Sequence, residues 1–228
     1  MRVFIGEPGT EHKETLATAS EAAAVGGVTT IAMMPETDPV IDNVALVEFI
    51  ARQARETAQV SILPTAAITK GLGGREMTEM GLLQSAGAVA LTDGTHTIAD
   101  SLVMRRVLSY ASNFDILIMH HAAEPSLTKN GCMNEGEVAT RLGLSGIPTA
   151  AETIIVERDI RLVELTGARY HVSSISTATA LDAVRAAKQR GLPVTCGVSP
   201  VHFALNETSI GNYRTFAKLS PPLRSEDD

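Results

Sequence analysis

Apolar residues follow two patterns along the chain, and segments with the two patterns alternate. Unbroken apolar runs such as Val28–Met34 are typical of strands that are buried on both faces of a parallel sheet. Segments such as Asn43–Thr57 instead repeat apolar residues along one side of a helix. The predicted strands are Arg2–Ile5, Val28–Met34, Val60–Ala67, Ala88–Leu91, Asp115–His121, Ala168–Ser173 and Pro193–Val198. The predicted helices are Glu11–Val25, Asn43–Thr57, Arg75–Ser85, Asp100–Ala111, Thr149–Thr166 and Thr177–Arg190.

This alternation predicts an α/β fold, because strand–helix–strand units of this kind build a parallel sheet with right-handed crossovers. Two architectures fit it, a TIM-type (β/α)8 barrel and an open doubly wound sheet. The turn Gly6-Glu7-Pro8-Gly9 after the first strand lacks the spacing of a dinucleotide-binding fingerprint. We therefore favour one partial barrel domain over residues 1–228, with seven strands visible. Its functional face would lie at the carboxyl ends of the strands.

Composition narrows the classes of partner. The chain has 228 residues and a formal net charge of −7. This acidic balance argues against a nucleic acid or an anionic membrane as the main partner. No apolar run approaches the roughly 20 residues of a membrane span. The only cysteines, Cys132 and Cys196, suggest no disulfide framework. We expect a protein of the reducing cytoplasm.

Two polar residues at predicted strand ends carry the sharpest chemical signal. His121 ends the fifth strand, where a histidine is a natural metal ligand or general base. Asp93 follows the fourth strand, although an Asp-Gly turn there is also ordinary. His120 precedes His121 and should face the helix layer instead, because neighbouring strand residues alternate. The chain contains no His-x-His pair. The residues alone therefore support metal catalysis poorly.

Several strand-end segments occur in a characteristic order. They are Glu7-Pro8-Gly9, Gly26-Gly27-Val28-Thr29-Thr30, Met34-Pro35 with Thr37 and Pro39, Ala67-Ile68-Thr69-Lys70-Gly71, Met133-Asn134-Glu135-Gly136, Ala151-Glu152, Arg158-Asp159 and Pro221-Pro222-Leu223-Arg224. In this order the chain resembles the dihydroorotase family of the amidohydrolase superfamily. The resemblance implies a TIM barrel and the reversible closure of N-carbamoyl-L-aspartate to dihydroorotate in pyrimidine synthesis. It also implies zinc, often as a metal pair, as the cofactor.

The resemblance also shows departures at the metal positions. His121 and Asp93 remain as metal-ligand positions, whereas Arg2, Phe4 and Ser174 stand where the family has histidines. The last metal ligand of the family would lie in an eighth strand beyond residue 228. Zinc is therefore doubtful for this chain. A guanidinium at position 2 would oppose a cation by simple repulsion.

The substrate positions depart from the family pattern as well. By the resemblance, Gly6 replaces an arginine that clamps the substrate, and Glu36 and Ser220 replace asparagines. Glu36 would repel a substrate that carries carboxylates. We therefore expect a degenerate, non-catalytic member that acts as a scaffold or partner of aspartate transcarbamoylase. The alternative is an active dihydroorotase with a reduced metal site.

A third hypothesis is a cyclic amidase of the hydantoinase or allantoinase type. Those relatives generally use a carboxylated lysine as a metal bridge, and that position is Asp93 in this chain.

The resemblance further suggests that the eighth strand and a small flanking β domain are absent. An unclosed barrel would expose sheet edges, so we expect either a piece of a longer protein or a homo-oligomer.

Overall fold

A computed structural model describes all 228 residues, which divide into two compact units. Unit 1 comprises residues 1–119 and unit 2 comprises residues 120–228. The prediction of one partial barrel domain over residues 1–228 stays a prediction. None of the helices combines the length and the apolar character that crossing a bilayer requires.

Unit 1 contains a parallel sheet of three strands in the order β1-β2-β3. Its strands are β1 (Arg2–Val3), β2 (Thr30–Met33) and β3 (Ser61–Pro64). Its helices are α1 (Leu16–Val25), α2 (Val44–Thr57), α3 (Met80–Ser85) and α4 (Ser101–Asn113), with a short 3-10 turn at Lys70–Leu72. The predicted strand Ala88–Leu91 is present only as isolated parallel bridges, which join Leu91 to Ala66 and to Ile118.

Unit 2 contains a three-stranded and a two-stranded sheet, with orders β4-β7-β8 and β5-β6. The strands are β4 (Ile118–His120), which starts at the end of unit 1, β5 (Met133–Asn134), β6 (Gly146–Ile147), β7 (Tyr170–Val172) and β8 (Val194–Cys196). The helices are α5 (Pro125–Thr128), α6 (Glu137–Leu142), α7 (Ala150–Thr166), α8 (Ala178–Gln189) and α9 (Pro200–Ala204). Two 3-10 turns, Glu207–Ile210 and Thr215–Ala217, follow.

The strand pairings confirm the predicted α/β class. The pairings β1–β2, β2–β3, β5–β6 and β7–β8 are all parallel. Helices separate the paired strands along the chain, as crossover connections require. The strands form separate sheets, none of which is a closed barrel.

Side-chain caps explain where the helices begin. The Asn43 side chain accepts the backbone N–H of Leu46 at 3.1 Å and caps α2. The helix starts at Val44, directly after this cap, as predicted. The predicted start of α1 at Glu11 is wrong. The Thr15 side chain accepts the N–H of Thr18 and fixes the first turn at Leu16, so residues 11–14 stay outside the helix. The predicted start at Arg75 is also wrong, because α3 begins only at Met80.

The sequence pattern predicts neither the small β5–β6 sheet nor α6. Each of the two strands has only two residues, which is too short for a periodic signal. A separate hydrophobic cluster supports this region. Its buried members are Met133, Ala139, Ile210, Ala217 and Leu223. The cluster joins the β5–α6 segment to the last residues of the chain.

His120 lies against α7, which confirms that it faces the helix layer. Its Nδ1 is 2.7 Å from Oδ2 of Asp159, and the Tyr170 hydroxyl donates to the same oxygen at 2.6 Å. Arg158 donates from Nε to the other carboxylate oxygen at 2.9 Å. Burial alone would raise the pKa of Asp159, but His120, Arg158 and Tyr170 together hold it below its ordinary value. The ionised carboxylate therefore stabilises the fold above that ordinary pKa, and the stabilisation is lost as the pH falls through the lowered one.

We predict that Tyr170→Phe destabilises the chain by about 1–3 kcal/mol, because it removes a hydrogen bond to a buried charged group. The measurement is urea unfolding near neutral pH. Tyr213→Phe is the matched control, since the exposed Tyr213 hydroxyl donates only to the backbone oxygen of Leu142. Equal losses for the two variants would contradict the role assigned to Asp159.

Candidate functional site

Asp93 is buried at the end of the Leu91 bridge in unit 1, and its carboxylate binds the neighbouring loop. Oδ1 accepts the backbone N–H groups of Ile68 and Thr69 at 2.8 and 2.9 Å. Oδ2 accepts the Thr69 hydroxyl. That hydroxyl oxygen in turn accepts the N–H of Gly74 at 2.8 Å. Asp93 therefore fixes the loop that follows β3 through both of its oxygens.

Glu36 binds the loop that follows Asp93 in the chain. It follows β2, and its Oε1 accepts the backbone N–H of Thr95 at 3.0 Å together with the Thr95 hydroxyl. The ring Nδ1 of His96 lies 3.7 Å from the same oxygen. The Glu36 side chain is only 16% exposed. We call this arrangement of Glu36, Gly94 and Thr95 the Glu36 clasp.

The clasp depends on a glycine. Gly94 has φ of +67°, and a Cβ built on it would lie 2.1 Å from Cδ of Glu36. Any side chain at position 94 would therefore displace the Glu36 carboxylate from Thr95. The Asp93-Gly94 turn thus has a specific packing reason beyond its backbone conformation.

Arg2 is a basic residue whose charge interacts with that of Glu36. It lies in β1 and is half-buried. Burial lowers the pKa of the Arg2 guanidinium, and the charge of Glu36 opposes that shift. β1 and the loop after β2 therefore carry a cation and an anion of the chain itself.

His121 lies at the carboxyl end of β4 and is buried. Its Nε2 is 3.4 Å from the Ser220 hydroxyl, near the end of the chain. Ser174, two residues after the end of β7, is also buried. Asp93 belongs to unit 1 and His121 to unit 2, and the metal-ligand role that the resemblance implies for both stays a prediction.

The donor set tests whether a zinc site fits. No group of three or more His, Cys, Asp or Glu side chains is placed to hold a metal ion. Arg2, Phe4 and Ser174 offer neither imidazole nor carboxylate, and the Phe4 ring is about half exposed at 47%. The Asp93 oxygens already accept hydrogen bonds from Ile68 and Thr69. The residues at these positions do not fit a zinc pair.

Glu152 and Arg224 belong to the family-like segments but have no role predicted from the sequence, and the structure gives each a structural role. Glu152 on α7 is buried and accepts the backbone N–H groups of Ser176 and Thr177 at about 3.0 Å, together with both hydroxyls. It fixes the loop between β7 and α8. The Arg224 guanidinium donates to Ser176 Oγ and Asn134 Oδ1, at 3.1 and 2.9 Å. The signal for both roles is that a charged residue is buried, and burial at these positions cannot be inferred from the sequence pattern.

The comparisons with known proteins agree with the resemblance. A family model described as Dihydro-orotase-like matches residues 1–180. Dihydroorotase from Syntrophobacter fumaroxidans is 46% identical over 228 residues, which is all of this chain and 52% of that protein. Dihydroorotase from Desulfotalea psychrophila is 46% identical over 227 residues and is covered to 54%. The chain thus spans about half the length of these curated relatives.

Solved structures show the same fold. An L-hydantoinase (dihydropyrimidinase) from Arthrobacter aurescens superposes with a TM-score of 0.79 at 21% identity, over 93% of this chain and 49% of that one. A dihydroorotase from Saccharomyces cerevisiae, solved with 5-fluoroorotic acid, gives 0.76 at 12% identity, over 100% of this chain and 62% of that one. These neighbours are TIM-barrel amidohydrolases, so the predicted fold class is confirmed. From the family match over residues 1–180, we conclude that the chain belongs to the dihydroorotase-like family.

Proposed function

We propose that this chain is a non-catalytic member of the dihydroorotase family that serves pyrimidine biosynthesis as a structural partner of aspartate transcarbamoylase in the cytoplasm. The observation that carries the proposal is the internal use of Asp93 and Glu36. Each carboxylate binds backbone and hydroxyl donors of a neighbouring loop. Neither is left as an open ligand at the strand ends of unit 1.

Metal binding through Asp93 Oδ1 would have to compete with the N–H groups of Ile68 and Thr69. Ile68, Thr69 and Asp93 are all essentially buried, so these donors have no water to replace the carboxylate. A buried donor left without an acceptor costs about 1–3 kcal/mol. The Arg2 guanidinium adds a positive charge that repels a second cation. Both effects favour a strand-end region that is held together without metal.

Substrate recognition is disfavoured at two positions. A Cβ at Gly6 would lie 2.5 Å from the carbonyl oxygen of Thr10, so this backbone does not admit the arginine of the family. The lost guanidinium would have offered two parallel hydrogen bonds to a carboxylate. Glu36 supplies a negative charge instead, which repels an anionic substrate.

An active dihydroorotase is the second candidate, and His121 is the observation that favours it. This histidine keeps the family position at the end of β4, with Nε2 close to the Ser220 hydroxyl. The curated relatives that match the whole chain are named dihydroorotase. His121 would be one ligand of the reduced metal site of that candidate.

The Glu36 clasp predicts a specific coupling between Gly94 and Glu36. Gly94→Ala should cost more stability than Gly27→Ala, since Gly27 has φ of +73° but nothing within 4 Å of a built Cβ. Both variants pay about 1–2 kcal/mol for alanine in the left-handed region, but only Gly94→Ala also displaces Glu36. Urea unfolding of both variants in a Glu36→Ala background completes the cycle. If the excess cost at position 94 persists without Glu36, the clasp is not its cause.

Zinc content and turnover test the non-catalytic proposal. We expect the chain to lose zinc on dialysis against a chelator and to form no measurable dihydroorotate with zinc added, because metal-bound water is what supplies a nucleophile near neutral pH. Arg2→His with Phe4→His and Ser174→His should restore metal before turnover, since Gly6 and Glu36 remain. The dihydroorotase from Syntrophobacter fumaroxidans is the positive control. Robust turnover by the unaltered chain would refute the proposal and establish the second candidate.

The partner is tested separately by sedimentation velocity with purified aspartate transcarbamoylase. We expect a complex that sediments faster than either protein, formed equally with and without chelator. An unrelated acidic protein of similar size controls for non-specific association. Independent sedimentation of the two proteins at tens of micromolar would contradict the scaffold role. The chain alone in the same experiment reports whether it is the predicted homo-oligomer.

A further inference from the structure

Unit 2 contains an apolar cavity between the β5–β6 region and the last 3-10 turn. Its volume is about 180 Å³. Met133, Leu144, Ile210 and Ala217 supply apolar side chains to its wall, and Cys132 also lines it. A cavity of about 150 Å³ lined by aliphatic and aromatic side chains binds benzene. This cavity therefore has room for one aromatic ring or one branched aliphatic group.

The wall of the cavity is held by packing and hydrogen bonds. Met133, Ile210 and Ala217 belong to the buried hydrophobic cluster described above. Tyr213 forms part of the lining, and its hydroxyl donates to the backbone oxygen of Leu142 at 2.7 Å. The N–H of Cys132 donates to the carbonyl of Ser145 at 3.0 Å. The backbone polar group beside the ligand space is therefore already satisfied, and the apolar wall does not need to reorganise.

Two cations lie at this otherwise apolar site. Arg214 and Lys218 both line the cavity, and both residues are exposed. Neither side chain makes an ion pair or a hydrogen bond in the structure. A preformed apolar cavity with a few charged groups that fix orientation is the usual form of a small-molecule site. The charge of these groups selects an anion, and a guanidinium suits a carboxylate in particular.

We propose that this cavity binds a small carboxylic acid with an aromatic or branched aliphatic body. The body occupies the space between Met133, Ile210 and Ala217. The carboxylate lies at the mouth, where it meets Arg214 and Lys218. This site is separate from the strand-end positions considered above, and the proposal does not depend on whether the chain is catalytic.

Phenylacetate is the probe, and the two cysteines supply an internal comparison. Cys132 lines this cavity, whereas Cys196 lines a different one in the same unit. Phenylacetate should slow the reaction of Cys132 with N-ethylmaleimide and leave Cys196 unchanged, as measured by peptide mass spectrometry. Benzyl alcohol has the same ring without the charge, and it should protect Cys132 less at equal concentration. Equal protection of both cysteines, or none at Cys132, would overturn the proposal.

Substitution of the cations separates the charge from the cavity. Arg214→Gln with Lys218→Gln should weaken protection by phenylacetate about fivefold, the scale of an exposed charge contact, and leave benzyl alcohol unchanged. Arg105→Gln with Arg106→Gln is the matched control, because these two exposed arginines lie on α4 in unit 1. An equal effect of both double variants, or no effect of the first, would show that the rim cations do not bind the carboxylate. If the first variant fails to fold, the comparison of phenylacetate with benzyl alcohol on the unaltered chain decides.

Discussion

Buried carboxylates that collect backbone N–H donors organise the strand-end loops of this chain. An ionised carboxylate is costly to bury unless its oxygens accept hydrogen bonds, and the N–H groups of tight loops are equally costly to leave unpaired. Asp93 and Glu152 each meet both demands at once. Asp93 binds two consecutive N–H groups after β3, and Glu152 binds two consecutive N–H groups after β7. The same physical solution thus recurs in both units.

This constraint has a direct consequence for chemistry. A carboxylate that completes a loop is part of the scaffold, and a metal that took over a lone pair used by the loop would release one of its donors. Glu36 extends the same principle to the loop that carries Thr95, where Gly94 leaves room for its side chain. Arg2 supplies the compensating positive charge from β1. The altered positions 2 and 36 thus carry opposite charges of the chain itself beside a preserved fold.

Much of the architecture follows from the sequence because strand and helix periods are local properties. The starts of α2 and α8 agree with prediction because Asn43 and Thr177 are strong caps at the point where the apolar repeat begins. The predicted start of α1 is wrong because the polar residues before Thr15 fit a helical turn equally well. The strands β5 and β6 are too short to produce a periodic pattern of apolar residues. The roles of Glu36 and Arg224 depend on contacts far along the chain, and no local rule reports such contacts.

Zinc-dependent stability tests the central claim most directly. A ligand that binds only the folded chain raises the free energy of unfolding in proportion to the logarithm of its concentration. We predict identical urea unfolding curves in excess chelator and in zinc up to a hundred micromolar, because Asp93 and Glu36 already have their partners. A rise of about 1 kcal/mol or more for each hundredfold increase in zinc would contradict the account, since the folded chain would then hold a metal site.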